Sequence, residues 1–268
     1  MGYEAILFDV SDGVATITLN RPERMNAFSQ PLLTEWTDAI VRCQDDDDVR
    51  VVLITGAGRA FCAGADLKAQ GDEDYALMQH HGPAERRNSL RYSVHRVPHA
   101  LEYLDKPYIA AVNGAAVGAG MDMASMADIR IASDQARFGM SYVNVALIPG
   151  DGGAWLLPRL VGKQKAFDLI CNGTIFGADE ALEMGYAFKV VPHESLMEEA
   201  TAYAQKLAAG PPVAIQLAKQ LLRRSETLPF MEALNAAQHA MTIAQSTEDA
   251  IEGPTAFREK RSPNFIGH

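Results

Sequence analysis

Cysteine is scarce in this chain, which carries only Cys43, Cys62 and Cys171. They are odd in number and far apart, so they build neither a disulfide framework nor a metal-ligand spacing. That excludes a small cross-linked scaffold and leads one to expect a reducing compartment, the cytoplasm. Positive charge is also short: 24 Lys and Arg against 34 Asp and Glu leave a net charge of −10. A general nucleic-acid binder needs a broad basic surface, and docking on an anionic membrane needs clustered cations. Neither partner is therefore expected, whereas an anionic small molecule needs only a few local Lys or Arg. No apolar run approaches the roughly 18 residues of a membrane span. The stretch Met1–Asn20 has no basic region leading into an apolar run, so no secretory signal is expected. Gly2 is followed by Ile6 where a myristoylation site has Ser or Thr. Linkers, repeats and low-complexity tracts are missing too.

What is present suits one large core. The chain has 268 residues, 48% of them hydrophobic, enough for a single domain with an appendage. Ala5–Val10 and Gly13–Asn20 read as strands joined by an Asp12-Gly13 hairpin turn. Pro31–Cys43 reads as an amphipathic helix with Leu32, Leu33, Trp36 and Ile40 on one stripe. Val51–Thr55 and Pro107–Val112 are apolar and β-branched, as buried parallel strands are. The run Asp45–Asp48 reads as a solvated turn. Between Gly71 and Leu104 the chain is polar and helical in pieces. Ala119–Met126 reads as a short helix and Ile129–Ala132 as a strand. Beyond Pro149 helical signals dominate, at Leu156–Val161, Lys165–Asn172, Asp179–Met184, Leu196–Leu207, Val213–Arg223, Met231–Gln245 and Thr247–Lys260. Val190 and Val191 form a short strand among them. The expectation is an α/β core over residues 1–190 and a helical region over 191–268.

Four segments stand out: Asn20-Arg21-Pro22-Glu23-Arg24-Met25-Asn26-Ala27; Gly58 through Lys68; Lys106 through Gly120; and Phe138-Gly139 through Gly153. Val51–Gly58 runs from a strand into G-x-G, as a dinucleotide site does. The third glycine of that fingerprint is missing, because position 61 is Phe. A Ser–His hydrolase would need a G-x-S-x-G elbow, and there is none. In order and at this separation, A-F-C-A-G-A-D-L-K (60–68) and A-A-V-N-G (110–114) resemble the crotonase superfamily, the enoyl-CoA hydratase/isomerase family. The resemblance runs from Asn20-Arg21-Pro22 to Ala256–Arg261.

The resemblance implies an α/β fold, a right-handed spiral of ββα units with a C-terminal helical trimerisation region. A homotrimer or homohexamer follows from it, as does an acyl-CoA substrate, with no tightly bound cofactor and coenzyme A present only as part of the thioester. Reactions beside a thioester pass through an enolate whose charge lands on the thioester oxygen. Two fixed N–H donors stabilise it, and losing one typically costs about 3–4 kcal/mol. By resemblance the donors are the amides of Ala65 and Ala119, the latter at a helix start where the dipole adds positive potential. The family more often has Gly at 119, but Ala keeps the N–H. Arg24, Ala63, Asp66, Leu67 and Lys68 match positions that face the coenzyme, as do Phe257 and Lys260 on the tail, often reaching it from a neighbouring subunit.

Two carboxylates serve the family's hydratases. One matches Asp122, one helical turn after Ala119, where the hydratases have Glu. The other matches Tyr142, and a phenol with a pKa near 10 is a poor base at neutral pH. Asp151 offers a substitute, either turned into the site or capping the helix that follows. A single carboxylate can move a proton between two carbons. The set therefore leans toward double-bond isomerisation over hydration. Hydrolysis through Asp151 and non-catalytic acyl-CoA binding stay open. Met78, Leu90, Tyr92 and Val94 mark an apolar stretch for the acyl group. The nearby His80, His81, His95 and His99 carry no role from sequence.

Overall fold

The computed structural model describes residues 2–66 and 82–268. The expectations for Leu67, Lys68, Met78, His80 and His81 fall outside them. The chain opens with a hairpin of β1 (Ile6–Ser11) and β2 (Val14–Leu19), paired antiparallel from Ile6↔Leu19 to Ser11↔Val14. Asp12 and Gly13 make its turn with φ of 51° and 76°, the positive pair that a two-residue hairpin needs. Helix α1 (Gln30–Asp45) starts where Ser29 Oγ accepts from the Leu32 amide, and it buries Leu32, Leu33, Trp36 and Ile40 as the stripe predicts.

After α1 the chain alternates between two sheets. Strand β3 (Val51–Gly56) is followed by β4 (Ala60–Cys62), β5 (Tyr108–Val112) by β6 (Ala115–Val117), and β7 (Ile129–Ser133) by β8 (Arg137–Gly139). The first strand of each pair joins a six-stranded sheet of order β1-β2-β3-β5-β7-β10, where β10 is Lys189–Val191. The second joins a four-stranded sheet of order β4-β6-β8-β9, where β9 is Ile175–Gly177. Pairing is parallel from β2 to β10 and from β4 to β8, and antiparallel between β8 and β9. The sequence reading found the large sheet and missed the small one. Three-residue strands carry too few positions to show a period of two.

The large sheet is buried on both faces. Val52, Ile54, Tyr108, Ala110 and Val112 point to the side of α1 and the small sheet. Val51, Leu53, Ile109, Ala111 and Ile131 point to the opposite side, onto α8 (Leu196–Ala208) through Leu196, Ala200 and Ala204. Inside the first layer the buried Trp36 indole donates to Tyr108 Oη at 3.3 Å, so this polar pair is satisfied. The boundary expected at residue 190 falls within β10, and α8 beyond it is a layer of the core. The helices after it, α9 (Pro212–Ser225), α10 (Phe230–Gln245) and α11 (Asp249–Glu259), form the tail. Lys219 of α9 is buried, with Nζ 2.6 Å from both Asp128 Oδ2 and the Lys106 carbonyl, which ties the tail to the sheet.

The candidate active site

Two buried asparagines hold the loops that make the site. Asn26 donates to the carbonyls of Ala57 (2.9 Å) and Ala60 (2.8 Å), and its Oδ1 accepts from Arg21 N. Asn113 donates to the carbonyl of Gly58 at 2.8 Å and accepts from Gly56 N. The segment around Met25 then straps onto the loop after β4: Ala63 N donates to Met25 O, and Phe28 N to Gly64 O. Both asparagines sit inside the sequence motifs, which by themselves assign them no role. Their work is to satisfy backbone carbonyls that no strand pairs.

This strapping sets Ala65 beside helix α4 (Ala119–Ser125). A Cβ on Gly64 would lie 2.8 Å from Val117 O and 2.9 Å from Ala119 N, so only glycine lets the two backbones approach this closely. Gly118, at φ 56° and ψ −126°, turns the chain from β6 into α4 in a conformation that side-chain-bearing residues avoid. Ala119 itself is helical and needs no glycine. Among the described residues, no acceptor takes the N–H of Ala65 or of Ala119. Neither amide is therefore consumed by a hydrogen bond within the described residues.

Asp122 lies one turn further along α4 and is fully buried. Tyr142 Oη donates to its Oδ2 at 2.6 Å and lies 3.2 Å from Asp151 Oδ2. Burial pushes the Asp122 carboxyl up to about 7; the Tyr142 hydrogen bond opposes that rise and the charge of Asp151 adds to it. The amides of Asp151 and Gly153 favour its anion slightly, yet Oδ1 has no partner of hydrogen-bond geometry. A Cβ on Gly153 would overlap that oxygen, so the glycine at the start of α5 (Gly153–Val161) leaves the carboxylate its room.

Asp151 turns into the site. The N-cap of α5 is Gly152, with no side-chain cap, so the capping alternative is set aside. Burial raises the Asp151 carboxyl, opposed by His95 and Tyr142, and Oδ1 is again without a hydrogen bond. Tyr142 is pushed far above the ordinary phenol value by burial and by both carboxylates, so it stays a neutral donor. His95 Nε2 sits 3.6 Å from Asp151 Oδ1 and 2.9 Å from Gly150 O. Sequence reading gave His95 no role, because the segment around it has no motif.

The remaining positions fall into two groups. Arg24 reaches within 3.8 Å of Asp66, so two of the expected coenzyme residues meet beside Ala63 and Ala65. Phe257, 83% exposed, and Lys260 lie on α11 and just past it. No hydrogen bond or ion pair among the described residues joins either to the site within one chain. No cluster of metal-binding side chains occurs among the described residues, and no described helix is long and apolar enough to cross a membrane.

Known proteins resemble this chain in sequence and fold. The sequence profile of the enoyl-CoA hydratase/isomerase family matches residues 9–268. The 1,2-epoxyphenylacetyl-CoA isomerase of Escherichia coli is 39% identical, over 98% of this chain and 99% of its own length. The crotonyl-CoA hydratase of Syntrophomonas wolfei is 36% identical, over 99% of each. The crystal structure of an enoyl-CoA hydratase from Bacillus anthracis superposes with a TM-score of 0.90 at 34% identity, covering 99% of this chain and 100% of that one.

Proposed function

This chain belongs to the enoyl-CoA hydratase/isomerase family, and from that premise we propose that it shifts a double bond along the acyl chain of a coenzyme A thioester. The thioester oxygen lies between the amides of Ala65 and Ala119. Asp122 takes a proton from the carbon beside the carbonyl. The enolate charge falls on the oxygen, where two preorganised donors meet it at no cost of reorientation. The same carboxyl then returns a proton two carbons along, which completes the shift without water.

The observation that carries this reading is the Tyr142 hydroxyl, 2.6 Å from Asp122 and 3.2 Å from Asp151. Hydration needs a second, independent base to activate water. Here that place holds a phenol that stays protonated and is already committed to Asp122. Two carboxyls linked through one hydroxyl act as one proton store, not as a separate acid and base. Hydrolysis through Asp151 has less support, because its Oδ2 accepts from the Tyr142 hydroxyl, which weakens it as a nucleophile.

The coenzyme lies along Arg24, Ala63, Asp66 and the residues that follow, and no tightly bound cofactor is required. In an oligomer, Phe257 and Lys260 of a neighbouring chain reach it. A direct test offers conjugated and unconjugated enoyl-CoA thioesters and follows ultraviolet absorbance. The expected result is conjugation of the unconjugated substrate with much slower hydration of the conjugated one. Hydration as the faster reaction contradicts the proposal.

A further inference from the structure

The catalytic carboxyl is sealed off from water, yet a line of polar side chains leads outward from it. Asp122 is fully buried, Asp151 is 6% exposed and His95 is 32% exposed. Asp151 and His95 both line an open cleft of about 650 Å³ between α3 (Arg96–Tyr103), α5 and the end of α9. The steps along the line are 3.6 Å from His95 Nε2 to Asp151 Oδ1, 3.2 Å from Asp151 Oδ2 to Tyr142 Oη, and 2.6 Å from Tyr142 Oη to Asp122 Oδ2. Nothing in a one-carboxylate proton shift requires His95 or this cleft.

Resting on the isomerase reading above, we propose that His95 is the positioning residue through which Asp122 exchanges its proton with solvent, by way of Asp151 and Tyr142. In each inward transfer the imidazolium gives its Nε2 proton to Asp151 and becomes neutral imidazole, which a water in the cleft protonates again. Asp151 passes a proton to the Tyr142 oxygen as the Tyr142 hydroxyl proton moves to Asp122. Tyr142 ends as it began, a neutral phenol, and Asp122 ends as the acid. The outward transfer is the reverse.

The geometry fits a gate more than a fixed wire. His95 Nε2 is held by the Gly150 carbonyl at 2.9 Å, while its distance to Asp151 exceeds a hydrogen bond. A ring shift of under about 1 Å moves the donor from one oxygen to the other. Arg159, Arg223, Arg224, Glu102 and Glu226 line the same cleft, so side chains of both charges face the ring's open side. His99 packs edge-on against the His95 ring, with centroids 6.5 Å apart, and can hold it in register.

The test is the hydrogen content of the product. An unconjugated enoyl-CoA is isomerised in D2O, and deuterium in the product is read by mass spectrometry. The wild type should incorporate solvent deuterium. His95→Gln keeps a donor for Gly150 but cannot carry a proton, so incorporation should fall about tenfold while kcat changes less than about threefold. His95→Ala should show the same loss, and added imidazole should restore the label. A purely structural role for His95 would change rates but not the label per turnover. Equal deuterium in wild type and His95→Gln, or no deuterium in either, overturns the relay and leaves the isomerase reading standing. No conversion by the wild type overturns both.

Discussion

Burial sets the range in which Asp122 works as a base. Its carboxyl is raised to about 7, and only the ionised form can take a proton, so kcat/KM should rise with pH through about 7. A rate already flat between pH 5 and 8 would contradict this. The same shift carries a stability cost. Because the folded value lies above the ordinary carboxyl value of 3.8, the unfolded chain gives up this proton first. Stability is complete below the lower value and is lost as pH rises toward the higher one. Asp122→Asn should therefore gain stability relative to wild type as pH goes from 5 to 8, measured by thermal melting at each pH. Tyr142→Phe removes the hydrogen bond that holds the Asp122 carboxyl down. Its pH–rate limb should move to higher pH, and an unmoved limb would show that the phenol is not coupled to Asp122. At this scale Asp122 and Tyr142 were singled out by the family resemblance, and the fold brings them to 2.6 Å. The direction of Asp151 was not legible, since a turn can aim a side chain two ways. His95 was invisible, because its partner lies 56 residues away across a fold that the local sequence does not describe.

The junction between β6 and α4 is the element on which the oxyanion site depends. Gly64 lies against it at φ 76°, where an added Cβ would press on Val117 O and Ala119 N. Gly64→Ala should push the Ala119 amide away and lower kcat/KM about a hundredfold. The φ adds strain on the order of 1 kcal/mol, so the fold should survive. Circular dichroism and steady-state kinetics on one sample check both halves, and unimpaired kinetics would mean that this contact does not place the donor. The long strands and helices could be read from periodicity, because five or more residues show which face is buried. The small sheet could not, yet it carries the loops with Ala65 and Ala119. The glycines and asparagines that sequence reading treated as site motifs are also what lets two sheets run this close together.

The whole molecule leaves a large part of its tail uncovered. Phe230, Met231, Leu234, Met241, Ile243 and Ile251 are all exposed, most of them on α10. An apolar surface of that extent calls for a partner, and we propose that further copies of this chain supply it. Light scattering at micromolar concentration should return three or six times the chain mass, and a monomer would count against the assembly. If Phe257 serves a neighbour's coenzyme site, Phe257→Ala should raise KM with kcat nearly unchanged, the signature of lost uniform binding. An unchanged KM would remove Phe257 from the coenzyme contacts. In the sequence this scale shows as a helical region over residues 191–268, and the resemblance adds the expectation of a homotrimer or homohexamer.

The central claim is that the buried Asp122 carboxyl moves the proton while Ala65 and Ala119 hold the thioester oxygen. The measurement closest to it is the rate of conjugation of an unconjugated enoyl-CoA by Asp122→Asn, alongside coenzyme A thioester binding to the same protein. The account predicts retained binding and a rate at least about a thousandfold below wild type. A variant that binds and conjugates at the wild-type rate would contradict it.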